Sequence, residues 1–94
     1  MITMPEREVK VEEAISLVRS LAGKLLHADT EINHFTLFYE INLAKGSRFC
    51  TVSDYCKKSA VVLKHERDHR GVSWVALMCT DHAPRIALEK MSSG

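Results

Sequence analysis

Apolar residues along this chain change their period twice, and the changes divide it into elements. Val11, Ala14, Ile15, Val18, Leu21, Ala22 and Leu25 recur at steps of three and four, with Glu12, Glu13, Arg19 and Lys24 off the stripe. A broad apolar stripe at that spacing predicts an amphipathic helix over about residues 8–28. Glu6, Glu8, Glu12 and Glu13 gather near its start and His27 near its end, as the helix dipole favours. Asp29 to Asn33 then reads as a short connection.

From His34 the period becomes two. Phe35, Leu37, Tyr39, Ile41 and Leu43 alternate with Thr36, Phe38, Glu40 and Asn42, a pattern rich in aromatic and β-branched types that predicts a strand. Lys45-Gly46-Ser47 supplies a turn, and Arg48 to Ser53 is expected to return as the antiparallel partner. Residues 54–71 admit two readings. As a helix, Ser53 caps the start, Tyr55, Cys56, Ala60 and Leu63 form the buried side, and Gly71 ends it. As a strand, Ser59 to Glu66 carries the β-branched pair Val61 and Val62, and Arg67 to Gly71 is a polar hairpin loop; this second reading is preferred. Val72 to Thr80 is apolar on both sides, as in a strand covered on both faces. Pro84 and the run Arg85 to Met91 predict a short helix, with Ser92 to Gly94 as a tail.

The order α-β-β-β-β-α predicts one α+β domain over residues 1–94: an N-terminal amphipathic helix packed on an antiparallel three- to four-stranded sheet, and a short C-terminal helix. One such helix is too small to cover Phe38, Val75, Leu77 and their neighbours on the remaining face. A two-fold homodimer is therefore expected.

Composition narrows the picture. With 94 residues, 46% hydrophobic and 27% charged, the chain has ordinary globular proportions. Val72 to Cys79, interrupted only by Ser73, is its longest apolar run and is too short to span a bilayer. The N-terminus turns acidic at Glu6, unlike a secretory signal, and reads as untargeted. Cys50, Cys56 and Cys79 are odd in number and fit no disulfide framework, which points to reduced thiols in a cytoplasm. Net charge is only +1, yet residues 45–70 hold seven Lys/Arg against three Asp/Glu, whereas residues 1–44 hold four against seven.

His65-Glu66-Arg67-Asp68-His69 matches the H-E-x-x-H pattern of zinc hydrolases. That chemistry needs a helix, which alone brings histidines four apart onto one face beside a glutamate base. A third ligand would have to come from Cys79, Asp81 or His82, and the charged pair Arg67 and Asp68 and the absence of a metzincin third histidine argue against it. A structural metal held by Cys50, Cys56, Cys79, His65 and His69 is disfavoured because no close C-x₂₋₄-C pair is present. Gly23, Gly46, Gly71 and Gly94 are isolated and form no phosphate loop.

These features assign no catalytic residue, no metal and no cofactor. They predict a non-enzymatic interaction module, a homodimer presenting a charged surface to a macromolecular partner, with no membrane association. Lys57, Lys58, Lys64, Arg67 and Arg70 are the expected charged contacts, and Phe38 and Trp74 the apolar anchors. The alternatives are a zinc-dependent hydrolase at His65, Glu66 and His69, and a nucleic-acid binder using the basic segment 57–70, with Tyr55 close by.

Overall fold

A computed structural model describes residues 7–92 and shows the α+β class expected: an N-terminal helix, an antiparallel sheet and a short C-terminal helix. The elements are β1 (Arg7–Val9), α1 (Val11–Leu21), β2 (Ala22–Glu31), β3 (His34–Ile41), β4 (Val62–Arg67), β5 (Ser73–Met78) and α2 (Arg85–Ser92). The sheet runs β1-β5-β4-β3-β2, with every neighbouring pair antiparallel. Glu6, the untargeted N-terminus and the last two residues of the tail lie outside the described residues.

Two sequence expectations are corrected. The helix is shorter than 8–28: Val9 belongs to β1, and the chain leaves helical geometry at Ala22, which takes φ −77° and ψ 138°. Leu21 and Ala22 continue the helical stripe, but β3 carries an edge of backbone donors and acceptors that needs a partner. Residues 22–31 supply it, pairing from Ala22 opposite Ile41 to Glu31 opposite His34. Only Thr30 in this stretch is β-branched, so tertiary pairing overrides a local preference for helix. Leu25, placed on the helical stripe, is 49% exposed.

The second correction concerns Arg48 to Ser53, which is no strand. Leu43–Lys45 forms a 3-10 turn, Gly46 reverses the chain at φ 137°, and an irregular loop runs to Val61. Inside it, Phe49 and Ser59 form one isolated bridge. Ala60 N donates to the Arg48 carbonyl at 2.8 Å, and Thr51 N donates to the Leu77 carbonyl at 2.8 Å. The loop thereby takes up the edge of β5 beyond the reach of β1, which pairs only with Ser73 to Val75.

The strand preference over its helical alternative is borne out by β4, which starts at Val62 rather than Ser59 and runs through Arg67, and the hairpin turn follows at Asp68 to Val72. Asp68 Oδ1 accepts from the backbone N–H groups of Arg70 and Val72 at 2.9 and 3.1 Å, and Gly71 at φ 81° completes the reversal. The Arg70 guanidinium, 2.9 Å from Asp68 Oδ2, and these backbone donors hold the Asp68 carboxyl down at about 2.

The strand period sorts adjacent core residues onto opposite faces. Leu63, Val75 and Ile41 pack with Ala14 and Leu21 beneath α1, while Val62 and Phe38 pack with Leu26 and Ala87 beneath α2. Val75 and Leu77 therefore lie on the helix side, not on the face left for a partner copy. On that other face α2 covers Phe38 to 8% exposure and Val62 completely. The surplus apolar area that motivated a dimer is largely buried by the chain itself, because Ala87 is small enough to let α2 sit close.

Candidate metal centre

The irregular loop 46–61 and the turn that follows β5 bring together side chains distant in sequence. Cys50 enters through the bridge beside Phe49, with its N–H donating to the Lys58 carbonyl at 2.9 Å. Cys56 sits at the end of a tight turn closed by Cys56 N donating to the Ser53 carbonyl at 3.1 Å, with Tyr55 N bonded to Ser53 Oγ at 3.2 Å. Cys79 follows the last residue of β5. From it the chain turns toward α2, with His82 N and Ala83 N both donating to the Cys79 carbonyl.

The ligand atoms of Cys50, Cys56, Cys79 and His82 all lie within 4.8 Å of one another. Cys56 Sγ is 3.7 Å from Cys79 Sγ, and His82 Nδ1 is 3.3 Å from Cys50 Sγ and 3.2 Å from Cys79 Sγ. A tetrahedral zinc bonded at about 2.3 Å to sulfur and about 2.0 Å to nitrogen spaces its ligand atoms roughly 3.4–3.8 Å apart. The Cys56–Cys79 separation falls within that range, the two His82 distances lie 0.1–0.2 Å below it, and every remaining pair is within 4.8 Å. Hydrogen bonding alone explains them less well, since one imidazole nitrogen offers either one lone pair or one N–H and here faces two sulfurs. Cys50 and Cys79 are buried, Cys56 is half-buried and His82 is exposed, so the cluster sits under the surface with one ligand at its rim.

The surroundings favour negative sulfur. Burial raises the Cys79 thiol, but the backbone N–H groups of Asp81 and His82 and the thiols of Cys56 and Cys50 lower it by more, to about 7. For Cys56 the Lys58 N–H lowers the pKa, while burial and the two neighbouring thiols together leave it raised. Of these two, Cys79 is the one that becomes a thiolate more readily. Backbone N–H groups aimed at cysteine sulfur are also the outer contacts that orient metal-binding thiolates. An exposed ion pair between Lys58 and Asp81 links the loop to the same turn.

Sequence reasoning considered the three cysteines but joined them to the wrong histidines. His65 lies in β4, 5% exposed on the α1 face, whereas Glu66 points to the other face and His69 is exposed in the turn. A strand cannot present these residues as the hydrolase pattern requires. Cys79 and His82 together enter the sequence reading only as alternative third ligands for that pattern; the missed signal was their spacing, a cysteine and a histidine three residues apart that one turn can present together.

The expected contact residues are dispersed. Lys64 is 3.3 Å from Glu66, which also bonds His34 Nε2 at 2.7 Å; Arg67 lies over the Phe35 ring at 5.3 Å; Arg70 pairs with Asp68. Phe38 is buried and so offers no contact surface, and Trp74 is half-buried beside Glu66. Lys57 and Lys58 alone of this group lie on the cysteine-bearing loop.

Fold and cluster together define an α+β domain that gathers three cysteines and one histidine at one place. No family model, curated protein or solved structure matches this chain. No helix of the described residues is long and apolar enough to cross a membrane.

Proposed function

We propose that this chain is a small zinc-binding interaction module, in which Cys50, Cys56, Cys79 and His82 hold a structural Zn²⁺. The observation that carries the reading is the convergence of four soft or borderline ligand atoms within 4.8 Å of one another. Three sulfurs and one imidazole suit zinc better than the harder, oxygen-preferring cations. Four protein ligands leave no open position for substrate water, which separates a structural centre from a catalytic one.

The metal gives the loop a reason to be ordered. Sixteen residues from Gly46 to Val61 carry no helix and no strand beyond one bridge, and uncovered loops of that length seldom hold a single shape unaided. Zinc would tie the loop at Cys50 and Cys56 to the end of β5 and the start of α2. In this reading the sheet is the scaffold and the clamped loop is what the protein displays.

Metal analysis of protein purified without chelator tests the proposal. One zinc per chain, lost in Cys79→Ser, is expected. Fully reduced protein that binds less than a tenth of an equivalent from excess zinc overturns it.

A further inference from the structure

We infer that the metal-held loop is a docking surface for single-stranded nucleic acid, a reading that rests on the zinc-binding proposal. Of the six Phe, Tyr and Trp residues in the chain, Phe49 at 68% and Tyr55 at 91% are the exposed ones; the other four are buried or half-buried. Both stand immediately before a cysteine of the cluster. In each case the cysteine turns inward to the centre and its aromatic neighbour is left in water, on backbone that the metal would hold rigid. A rigid exposed ring costs hydration and returns nothing to the fold, but it is the platform on which an unpaired base stacks.

Charge selects the occupant. Arg48 adjoins Phe49, and Lys57 and Lys58 follow Cys56, while Asp54 is the one acidic residue between positions 46 and 61. The cores of protein–protein interfaces favour aromatics and arginine but are depleted in lysine, whereas phosphate backbones attract both cations. The ion pair of Lys58 with Asp81 is exposed on both sides, so phosphate can replace it at little cost. Stacking needs free base faces, which a duplex hides. Single strands are therefore preferred.

Fluorescence anisotropy of short labelled RNA and DNA strands of mixed sequence, beside the matching duplexes, tests the inference on zinc-loaded protein. Binding on the order of 10–100 µM at physiological salt is expected. With about three phosphate contacts, the log–log salt slope should lie near −2. Phe49→Ala and Tyr55→Ala should each weaken binding about five- to hundredfold while zinc content and melting temperature stay unchanged. Lys57→Glu should weaken it and flatten the salt slope. The difference between the RNA and DNA arms identifies the strand. Three results overturn the inference: no binding at several hundred micromolar protein, binding that survives the double aromatic variant, or equal binding to duplex. Sedimentation of the same double variant covers the competing role, since a dimer that it dissolves would assign the rings to self-association. Zinc stoichiometry on the same samples keeps the two readings apart: full zinc without nucleic-acid binding removes this inference alone. Aromatic-dependent binding by protein that takes up no zinc even from excess removes the metal reading and leaves the loop as the docking surface without it.

Discussion

Cys56 Sγ lies 3.7 Å from Cys79 Sγ, joining the middle of an irregular loop to the end of β5 across 23 residues of chain. Two sulfurs at that separation, with His82 Nδ1 3.2 Å from one of them, are close enough to share one metal ion. If zinc sits there as proposed, removing it should release the loop. With free zinc at a hundred times its dissociation constant, the folded state gains about 2.7 kcal/mol. In a domain of this size that corresponds to a melting temperature about 10–20 °C higher than in chelator. Thermal denaturation with and without chelator measures the difference, and Cys56→Ser should abolish it.

The Cys79 thiol sets a pH dependence in metal-free protein. Its folded pKa of about 7 lies below the ordinary 9.0, so the fold prefers the thiolate. The stability this contributes is fully present above pH 9 and is lost as the pH falls through about 7. Ultraviolet thiolate absorbance of chelated Cys50→Ser/Cys56→Ala protein should still titrate, but higher than in wild type, because the lowering influence of both neighbouring thiols is gone. Zinc affinity should fall over the same acid range, since each ligand must lose its proton to bind.

Among the described residues, His65 is buried with its Nε2 lacking a hydrogen-bond partner. Burial and then the nearby Arg67 charge lower its pKa from 6.5, and the Phe35 ring meets it edge-on at 5.2 Å. Because the folded pKa is depressed, the unfolded chain takes up a proton first as the pH drops below 6.5, and stability falls there. His65→Leu removes both the orphan nitrogen and this proton. It should leave the protein about 1 kcal/mol more stable at neutral pH and flatten the decline between pH 6.5 and 5. Denaturant unfolding at several pH values is the check.

Val62 and Leu63 are adjacent, both fully buried, and belong to opposite faces of the sheet. If α2 covers its face as α1 covers the other, both truncations should be costly. Leu63→Ala should lose about 3 kcal/mol and Val62→Ala about 2 kcal/mol, measured by urea unfolding. A cost at Leu63 with none at Val62 would show that α2 is not packed.

Much of the scaffold was legible because binary patterning is local. The alternation from Phe35 to Ile41 marked β3, the two-sided apolar run after Val72 marked β5, and Pro84 marked the start of α2. The ambiguous stretch resolved to a strand for the reason its sequence offered: Val61 and Val62 are β-branched and the polar run after them suits a turn. The errors lie where a neighbour in space decided. Ala22 to Glu31 is made largely of residues that accept helix, and Arg48 to Ser53 alternates well enough for a strand. Neither pattern encodes that β3 has one free edge, or that β5 has a free edge only beyond Val75.

The cysteine–histidine cluster shows the same division. By itself the chain determined the class of fold, the core positions of β3 to β5, and the supply of three thiols and five imidazoles, since side-chain period and composition are properties of short segments. Only the tertiary structure decided which of them meet. The β4–β5 hairpin carries Cys79 back to the loop that holds Cys50 and Cys56, and the turn into α2 selects His82 while the strand period sends His65 and Glu66 to opposite faces. Ligand convergence depends on distances between elements, and those distances exist only once the sheet has closed.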